Sequence, residues 1–397
     1  MKKILVLLIG GNLLAQLINL IFLPVSTRLY KPEVFNELAI FITFLIVIST
    51  VAGLRFDKAI LKCKDYKEAI ICLYLAIGFS LLISFIICIV FIVVEICGFN
   101  NPIKYPWLLP PLIVLVVLYN SLFNIANIRE EYKKLSKSRV KQSIVSNTIL
   151  TVWGILIATP FGIFLGYSLM YGAGVFNLFI GFQKVSKLEL IEVFKKNINY
   201  PKYSVIEAFG DVAGYQIPIA MIGLLYQNYL AAYLFIGIKL LNVPLSILGR
   251  AISSMYVSKI RNEGKNFNLN KNIILITVIC VFPTVIYSLI LNKLDVLILG
   301  EEWRGIGRVV FLLLPWFILQ MITTALNSAF YIFSQEKNIY YLHLFGGIFR
   351  ISIIALFAFA QYNHIIEVFS LVNTIFYLTW IVFIYMAFQK YSGVKNV

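Results

Sequence analysis

Charge and histidine are what this 397-residue chain has least of: Asp, Glu, Lys and Arg together make up 13% of it, and there are two histidines. Average soluble proteins are about 25% charged, so the two or three soluble domains that this length would ordinarily hold are excluded. Disorder, collagen-like repeats and coiled coil are excluded with them. The five cysteines, Cys63, Cys72, Cys88, Cys97 and Cys280, have no paired spacing and mostly lie in or beside apolar runs. They read as small apolar filler; neither a disulfide framework nor a zinc site is expected, and no cofactor is implied. Long polar stretches are missing too, so no soluble domain is expected between the apolar runs.

Apolar residues make up 60% of the chain, with a mean hydropathy of +0.89. A helix crossing a hydrocarbon core of roughly 30 Å needs about 20 residues. Read against charged or Pro/Gly breaks, the sequence predicts twelve spans: 4–24, 34–54, 69–94, 106–128, 142–160, 163–182, 203–225, 229–254, 272–292, 305–332, 339–359 and 365–388. The break between the fifth and sixth rests on Thr159-Pro160-Phe161-Gly162. Lys2 and Lys3 precede a long apolar run with no small-residue cleavage site, so the first helix is expected to stay. The predicted fold class is an all-α polytopic membrane protein.

The net charge of +16 would ordinarily suggest nucleic acid. Here the basic residues sit in short turns, the pattern of membrane topology. Alternate connections carry 25 Lys and Arg on one side and five on the other, Arg28, Lys31, Lys104, Lys293 and Arg304. That bias predicts both termini in the cytoplasm, and no nucleic-acid partner.

The halves look duplicated. Leu29-Tyr30 recurs as Leu225-Tyr226, Leu54-Arg55 with Ala59-Ile60 as Leu248-Gly249-Arg250-Ala251-Ile252, and Asn120-Ser121-Leu122-Phe123 as Asn327-Ser328-Ala329-Phe330. The offsets are 195 to 207 residues, an even number of spans. This predicts two six-helix bundles, residues 1–183 and 203–397, joined by a basic cytoplasmic linker, 184–202. Such parallel repeats are related by a pseudo-two-fold along the membrane normal.

Ionisable groups at membrane depth are costly and face a bundle interior or a watery cavity. Asp211, Lys239 and Arg350 fall within roughly the middle third of their predicted spans at about 1.5 Å per residue. Arg250, three turns beyond Lys239, would stand on the same face near the cytoplasmic mouth. One reading is a cationic cavity for an anionic substrate; another is an Asp211–Lys239 ion pair holding antiparallel helices together. Glu207 and Asp211, one turn apart, are candidates for proton or ion coupling. Glu37 and Glu367 read as interfacial. Three polar stripes follow helical spacing: Asn12, Gln16 and Asn19; Asn120, Asn124 and Asn127; Gln320, Thr324 and Asn327. They would line a solvated pathway, although interhelical hydrogen bonds account for any one of them.

Several segments carry a resemblance. Pro24-Val25-Ser26-Thr27-Arg28-Leu29-Tyr30-Lys31-Pro32-Glu33-Val34-Phe35 and Leu54-Arg55-Phe56-Asp57-Lys58-Ala59-Ile60 occupy the first turn and the second-helix exit. Lys239 precedes Pro244 in Lys239-Leu240-Leu241-Asn242-Val243-Pro244, and Gly300-Glu301-Glu302-Trp303 is followed by Leu314-Pro315-Trp316. In this order the chain resembles the Wzx-type O-antigen flippases, the polysaccharide-transport branch of the multidrug/oligosaccharidyl-lipid/polysaccharide (MOP) exporter superfamily. The resemblance runs over nearly the whole chain, although Asn36 stands where that family usually has glycine.

The resemblance implies two bundles in alternating access, moving a polyprenyl-pyrophosphate-linked oligosaccharide between leaflets of the bacterial inner membrane. Membrane lipid and other polysaccharide-assembly proteins are the partners it implies. It also implies a cationic central cavity, which carries onto Lys239 and then onto Arg28, Arg55 and Arg250; Arg350 and Asp211 rest on the depth argument alone. A cation or drug antiporter of the same superfamily is the nearer alternative, and would favour acids in its cavity. A membrane enzyme such as a glycan polymerase would need a sizeable outer loop or clustered acids and histidines. His343 and His364 instead fall toward opposite ends of the eleventh span and its following turn.

Overall fold

The computed structural model describes residues 2–63, 65–181, 183–226, 229–245, 256, 260, 268–327, 329–330, 333 and 336–393. Among these there are helices and no strands. The chain divides into two compact units, Met1–Val212 and Ala213–Val397.

The first unit contains α1 (Lys2–Leu29), α2 (Pro32–Ala52), a short α3 (Phe56–Ala59), α4 (Tyr66–Ile96), α5 (Leu109–Ile128), α6 (Tyr132–Leu156), α7 (Phe161–Leu178) and α8 (Lys187–Lys196). Helix α9 (Val205–Leu225) runs across the division. The second unit continues with α10 (Leu230–Pro244), α11 (Leu269–Leu299), α12 (Ile306–Leu326), α13 (Glu336–Phe359) and α14 (Ile365–Gly393). Local chemistry places the boundaries. Lys31 is extended and Pro32 opens α2, where its missing N–H would have had no partner anyway. Asp65 accepts from the Lys67 amide to start α4, and Asn268 from the Lys271 amide to start α11. Gly305, at φ 92°, takes the left-handed turn into α12 while its amide donates to Asp295 at 2.8 Å.

Among the described residues ten helices are long and apolar enough to cross a membrane, and they match ten of the twelve predicted spans. Two spans differ from expectation. The fifth, predicted at 142–160, is α6; it starts ten residues earlier at Tyr132 and is too polar to count among the ten. The eighth, predicted at 229–254, is described only as α10, which ends at Pro244. Beyond it, 246–255 lie outside the described residues.

The burial pattern gives the reason these helices need hydrocarbon around them. Leu81, Leu82, Phe85, Ile86, Ile89 and Val90 on α4 are exposed, as are Ile274, Val278, Phe282 and Leu297 on α11. At about 25 cal/mol per Å² of apolar surface, such faces would be strongly unfavourable in water. In the first unit α6 packs between α1 and α7, while α5 packs on α4 and α7. In the second, α12 is central, against α10, α11 and α14.

The two tyrosines of the Leu-Tyr repeat do the same work in their own units. Tyr30 is buried and its hydroxyl donates to the Leu150 carbonyl at 2.8 Å, reaching α6 past Gly154. Tyr226 donates to the Tyr362 carbonyl at 3.0 Å, just beyond the end of α13. Each thus ties the connection after a unit's first long helix to a point more than a hundred residues further on.

Candidate functional site

In the second unit, Arg350 stands on α13 nine residues before Phe359, about 13 Å from that helix end. It is fully buried. Its Nε donates to the Gly346 carbonyl at 3.2 Å, and its guanidinium carbon lies 3.9 Å from the centre of the Phe376 ring on α14. A Cβ at Gly214 on α9 would stand 2.7 Å from that carbon, so the slot exists because Gly214 has no side chain. A desolvated guanidinium over an aromatic face gains about 2 kcal/mol or more. The sequence reading put Arg350 in the middle third of its predicted span; the structure adds that it is walled in by Gly214, Gly346 and Phe376.

About two helical turns away on the same α13–α14 seam, His343 is buried with its ring centre 4.7 Å from that of Trp380. Asn373 is fully buried; its amide donates to the Phe369 carbonyl at 2.8 Å, while its Oδ1 has no partner among the described residues. The Trp316 and Trp380 indole nitrogens, Gln320 Oε1 and Asn327 Oδ1 are likewise without one. Buried polar atoms without partners are uncommon. On α12, Gln320 is half-buried and Thr324 exposed, while the half-buried Asn327 caps the helix.

Lys239 is half-buried on α10, nine residues past Leu230 and about 13 Å along it. Glu207 and Asp211 are half-buried on α9, within the part assigned to the first unit. Arg250 lies outside the described residues.

In the first unit, Arg28 is exposed at the end of α1 and donates to the Pro24 carbonyl at 3.1 Å, where a cation complements the helix terminus. Arg55 is half-buried in the left-handed region, φ 61°, immediately before α3. Asn12, Gln16 and Asn19 are half-buried along α1, and Asn19 accepts from the Asn147 amide of α6 at 2.8 Å. Asn120 is half-buried. Asn124 is buried and its amide donates to the Asp57 carbonyl at 2.8 Å, which fastens α3 to α5. Two of the nine polar-stripe residues named as pathway lining therefore hold helices together in this structure.

The sequence reading missed Arg139. It was counted with the basic residues of a connection, yet α6 begins at Tyr132, so Arg139 is about 10 Å inside the helix. Its guanidinium lies over the rings of Phe123 at 4.7 Å and Tyr119 at 5.7 Å. Around it runs a buried polar face of α6: Ser138, Gln142, Ser143, Ser146 and Asn147. Glycines on the facing helix permit this. A Cβ at Gly166 would meet the Ser146 carbonyl at 2.7 Å, and one at Gly174 would meet Tyr119 and the Gln142 amide. The Ser138-Gln142-Ser146 spacing was the available signal.

Also in the first unit, within the predicted linker 184–202, Ser186 and Glu189 form a reciprocal capping box that opens α8. Lys67 pairs with Glu189, and Lys196 with Glu68 at 2.9 Å. The Lys67 ammonium holds the Glu189 carboxyl below the ordinary carboxylate range, and Glu68 raises Lys196. Phe194 closes a three-ring cluster with Phe56 and Phe79. The predicted basic linker thus contains a helix seated on α3 and α4.

Residues 25–307 match a family described as polysaccharide biosynthesis protein. The chain belongs to that family. Solved structures agree in fold. An inward-facing multidrug resistance MATE family transporter of the MOP superfamily superposes with a TM-score of 0.68 at 13% identity, over 97% of this chain and 96% of that one. The lipid II flippase MurJ in an inward closed conformation gives 0.67 at 15% identity, over 99% and 90%. A MOP superfamily transporter from Pyrococcus furiosus, described as having a binding pocket of reverse polarity, gives 0.57 at 12%, over 98% and 96%. No curated protein matches the chain in sequence. The family member is therefore a multi-pass membrane protein with the MOP superfamily fold.

Proposed function

We propose that this family member translocates a polyprenyl-pyrophosphate-linked oligosaccharide repeat unit, of O-antigen or a related surface polysaccharide, from the cytoplasmic to the periplasmic leaflet. The observation that carries the reading is the polysaccharide biosynthesis family match on a chain with the fold of a lipid II flippase. No bond is made or broken in such a step, so the residues needed are those that bind, screen charge and move.

The chemistry of the residues supports such a cargo. Pyrophosphate is strongly anionic, and cations in a low-dielectric slab lower the cost of carrying it. Lys239 supplies a compact point charge and Arg139, Arg55 and Arg28 planar donors; Arg350, enclosed by Gly214 and Phe376, adds positive charge to the interior without offering a contact, and Arg250 is included on its sequence position alone. Gln320, Thr324, Asn327, Asn12, Gln16 and Asn120 offer hydrogen bonds to sugar hydroxyls. The basic bias of alternate connections supports both termini in the cytoplasm of a bacterium, with the chain in the inner membrane.

The MATE superposition favours a second reading, a cation or drug antiporter. The balance of Lys239 and Arg350 against Asp211 at depth opposes it. Glu207 and Asp211 are the candidates for ion coupling; Asp211→Asn should slow transport and change its pH dependence, and an unaltered rate and pH profile would remove Asp211 from that role.

The deciding experiment is to delete the gene in its native host and determine the leaflet in which single lipid-linked units accumulate. Units trapped on the cytoplasmic face support translocation. Units that reach the periplasmic face but never lengthen point to a polymerase, and normal glycan traffic with altered resistance to cationic compounds points to the antiporter.

A further inference from the structure

Two of the cysteines that the sequence offers as filler meet in the structure. Cys63 follows the turn Ile60–Lys62 in extended conformation, and Cys72 lies in the second turn of α4. Their Sγ atoms are 3.8 Å apart, in hydrogen-bond contact. Bonded sulfurs stand about 2.05 Å apart, so a small approach closes the pair.

The two thiols differ in a useful way. Cys63 is half-buried and Cys72 fully buried. Cys63 as a thiol also donates to the Ala59 carbonyl at 3.5 Å. The hydrogen bond from Cys72 holds Cys63 below the ordinary thiol range, and Lys196 acts in the same direction, against burial and the carboxylates of Glu68 and Asp65. Thiolate character with partial access marks a reactive cysteine, and an adjacent hidden thiol is the arrangement of a resolving partner. Cys88, on the same helix, is sixteen residues from Cys72, or about 24 Å along it.

We propose that Cys63 and Cys72 form a modification site, a dithiol that a peroxide converts to an intrachain disulfide and a thiol reductant restores. The Cys63 thiolate attacks a peroxide oxygen, giving a sulfenic acid and releasing the other oxygen as water after protonation. Cys72 then attacks the Cys63 sulfur, and the sulfenic oxygen leaves as a second water. In sum, two thiols and one hydrogen peroxide give one disulfide and two waters. The bond would tie the turn after α3 to α4 at the corner where α8 is seated: Phe194 lies on Phe56 and Phe79, Lys196 on Glu68, and Lys62 over the Tyr200 ring at 5.8 Å. This site does not depend on what the protein transports.

The test uses the full-length protein in native membranes, exposed to low hydrogen peroxide, alkylated and mapped by mass spectrometry. The expected product is a peptide pair linked through Cys63 and Cys72, lost again on treatment with dithiothreitol. In Cys72→Ser, Cys63 should stop at the sulfenic acid and be captured by dimedone. The proposal is overturned if Cys63 and Cys72 both remain alkylated as thiols while the exposed Cys97 is oxidised. It is equally overturned if wild-type Cys63 proceeds to sulfinic acid without a linked product. The wild-type map decides the matter even where a variant is poorly made.

Discussion

Arg350 presses its guanidinium against Phe376, 3.9 Å from carbon to ring centre, in a slot that is open because residue 214 is glycine. Gly214→Ala should therefore force a buried, stacked side chain to shift. Overpacking of this kind costs about 1–3 kcal/mol, seen as a lower midpoint of thermal unfolding in detergent. Arg350→Lys should also lower it, since an ammonium keeps the charge but loses the planar stack. Midpoints equal to wild type in both variants would mean that the slot is not what holds this helix seam.

The paired tyrosines offer a check on the duplication. Tyr30→Phe and Tyr226→Phe each remove one hydroxyl from a backbone carbonyl, at a net cost of about 0.5–1.5 kcal/mol. Both should lower the unfolding midpoint while leaving the amount of protein in the membrane nearly unchanged. An effect from Tyr30 alone would show that the two contacts are alike in geometry but not in weight.

Helix α8 should loosen with acid. The Glu189 carboxyl is held below its ordinary value by Lys67 and by its cap to Ser186, so its pairing is fully present above the ordinary carboxylate range. It is lost as the pH falls through the lowered value in the folded state. Hydrogen exchange over 187–196 should be slower at pH 7, after correction for intrinsic rates, than near pH 3, and Glu189→Gln should remove most of that difference. Because the groups are exposed, high salt should act in the same direction as acid. Exchange independent of both would place the hold on α8 in the Phe56–Phe79–Phe194 cluster instead.

Much of this architecture was legible in the sequence because hydrocarbon imposes a long apolar run on each crossing helix. Where a helix begins with charge, that signal fails. The first ten residues of α6 carry Lys133, Lys134, Lys137, Arg139 and Lys141, good helix formers that do not read as membrane-spanning, so its start was misplaced and Arg139 was read as part of a connection. The linker hid a readable device, the Ser186-x-x-Glu189 capping box. Depth alone could place Arg350 but not its enclosure, which depends on Gly214 and Phe376 from other helices. Asn124 shows the opposite limit: its spacing on α5 suited a pathway, whereas its amide holds the Asp57 carbonyl.

Lys239 and Arg139 should differ from one another. Lys239→Ala is expected to abolish transport with the protein still in the membrane, and Lys239→Arg to retain much of it. Arg139→Lys should retain less of wild-type transport than Lys239→Arg, because stacking over Phe123 and Tyr119 requires the planar group. Equal transport by Lys239→Ala, Lys239→Arg and wild type would make the charge at 239 structural only.

Translocation itself can be followed with the purified protein in proteoliposomes carrying a polyprenyl-pyrophosphate-linked oligosaccharide in the inner leaflet, by the access of an impermeant lectin from outside. Glycan should appear outside faster than in protein-free vesicles, and no faster than in those vesicles when Lys239 is replaced by alanine. Movement at the protein-free rate by the wild-type protein, in vesicles where it does transport a cationic dye, would contradict the account.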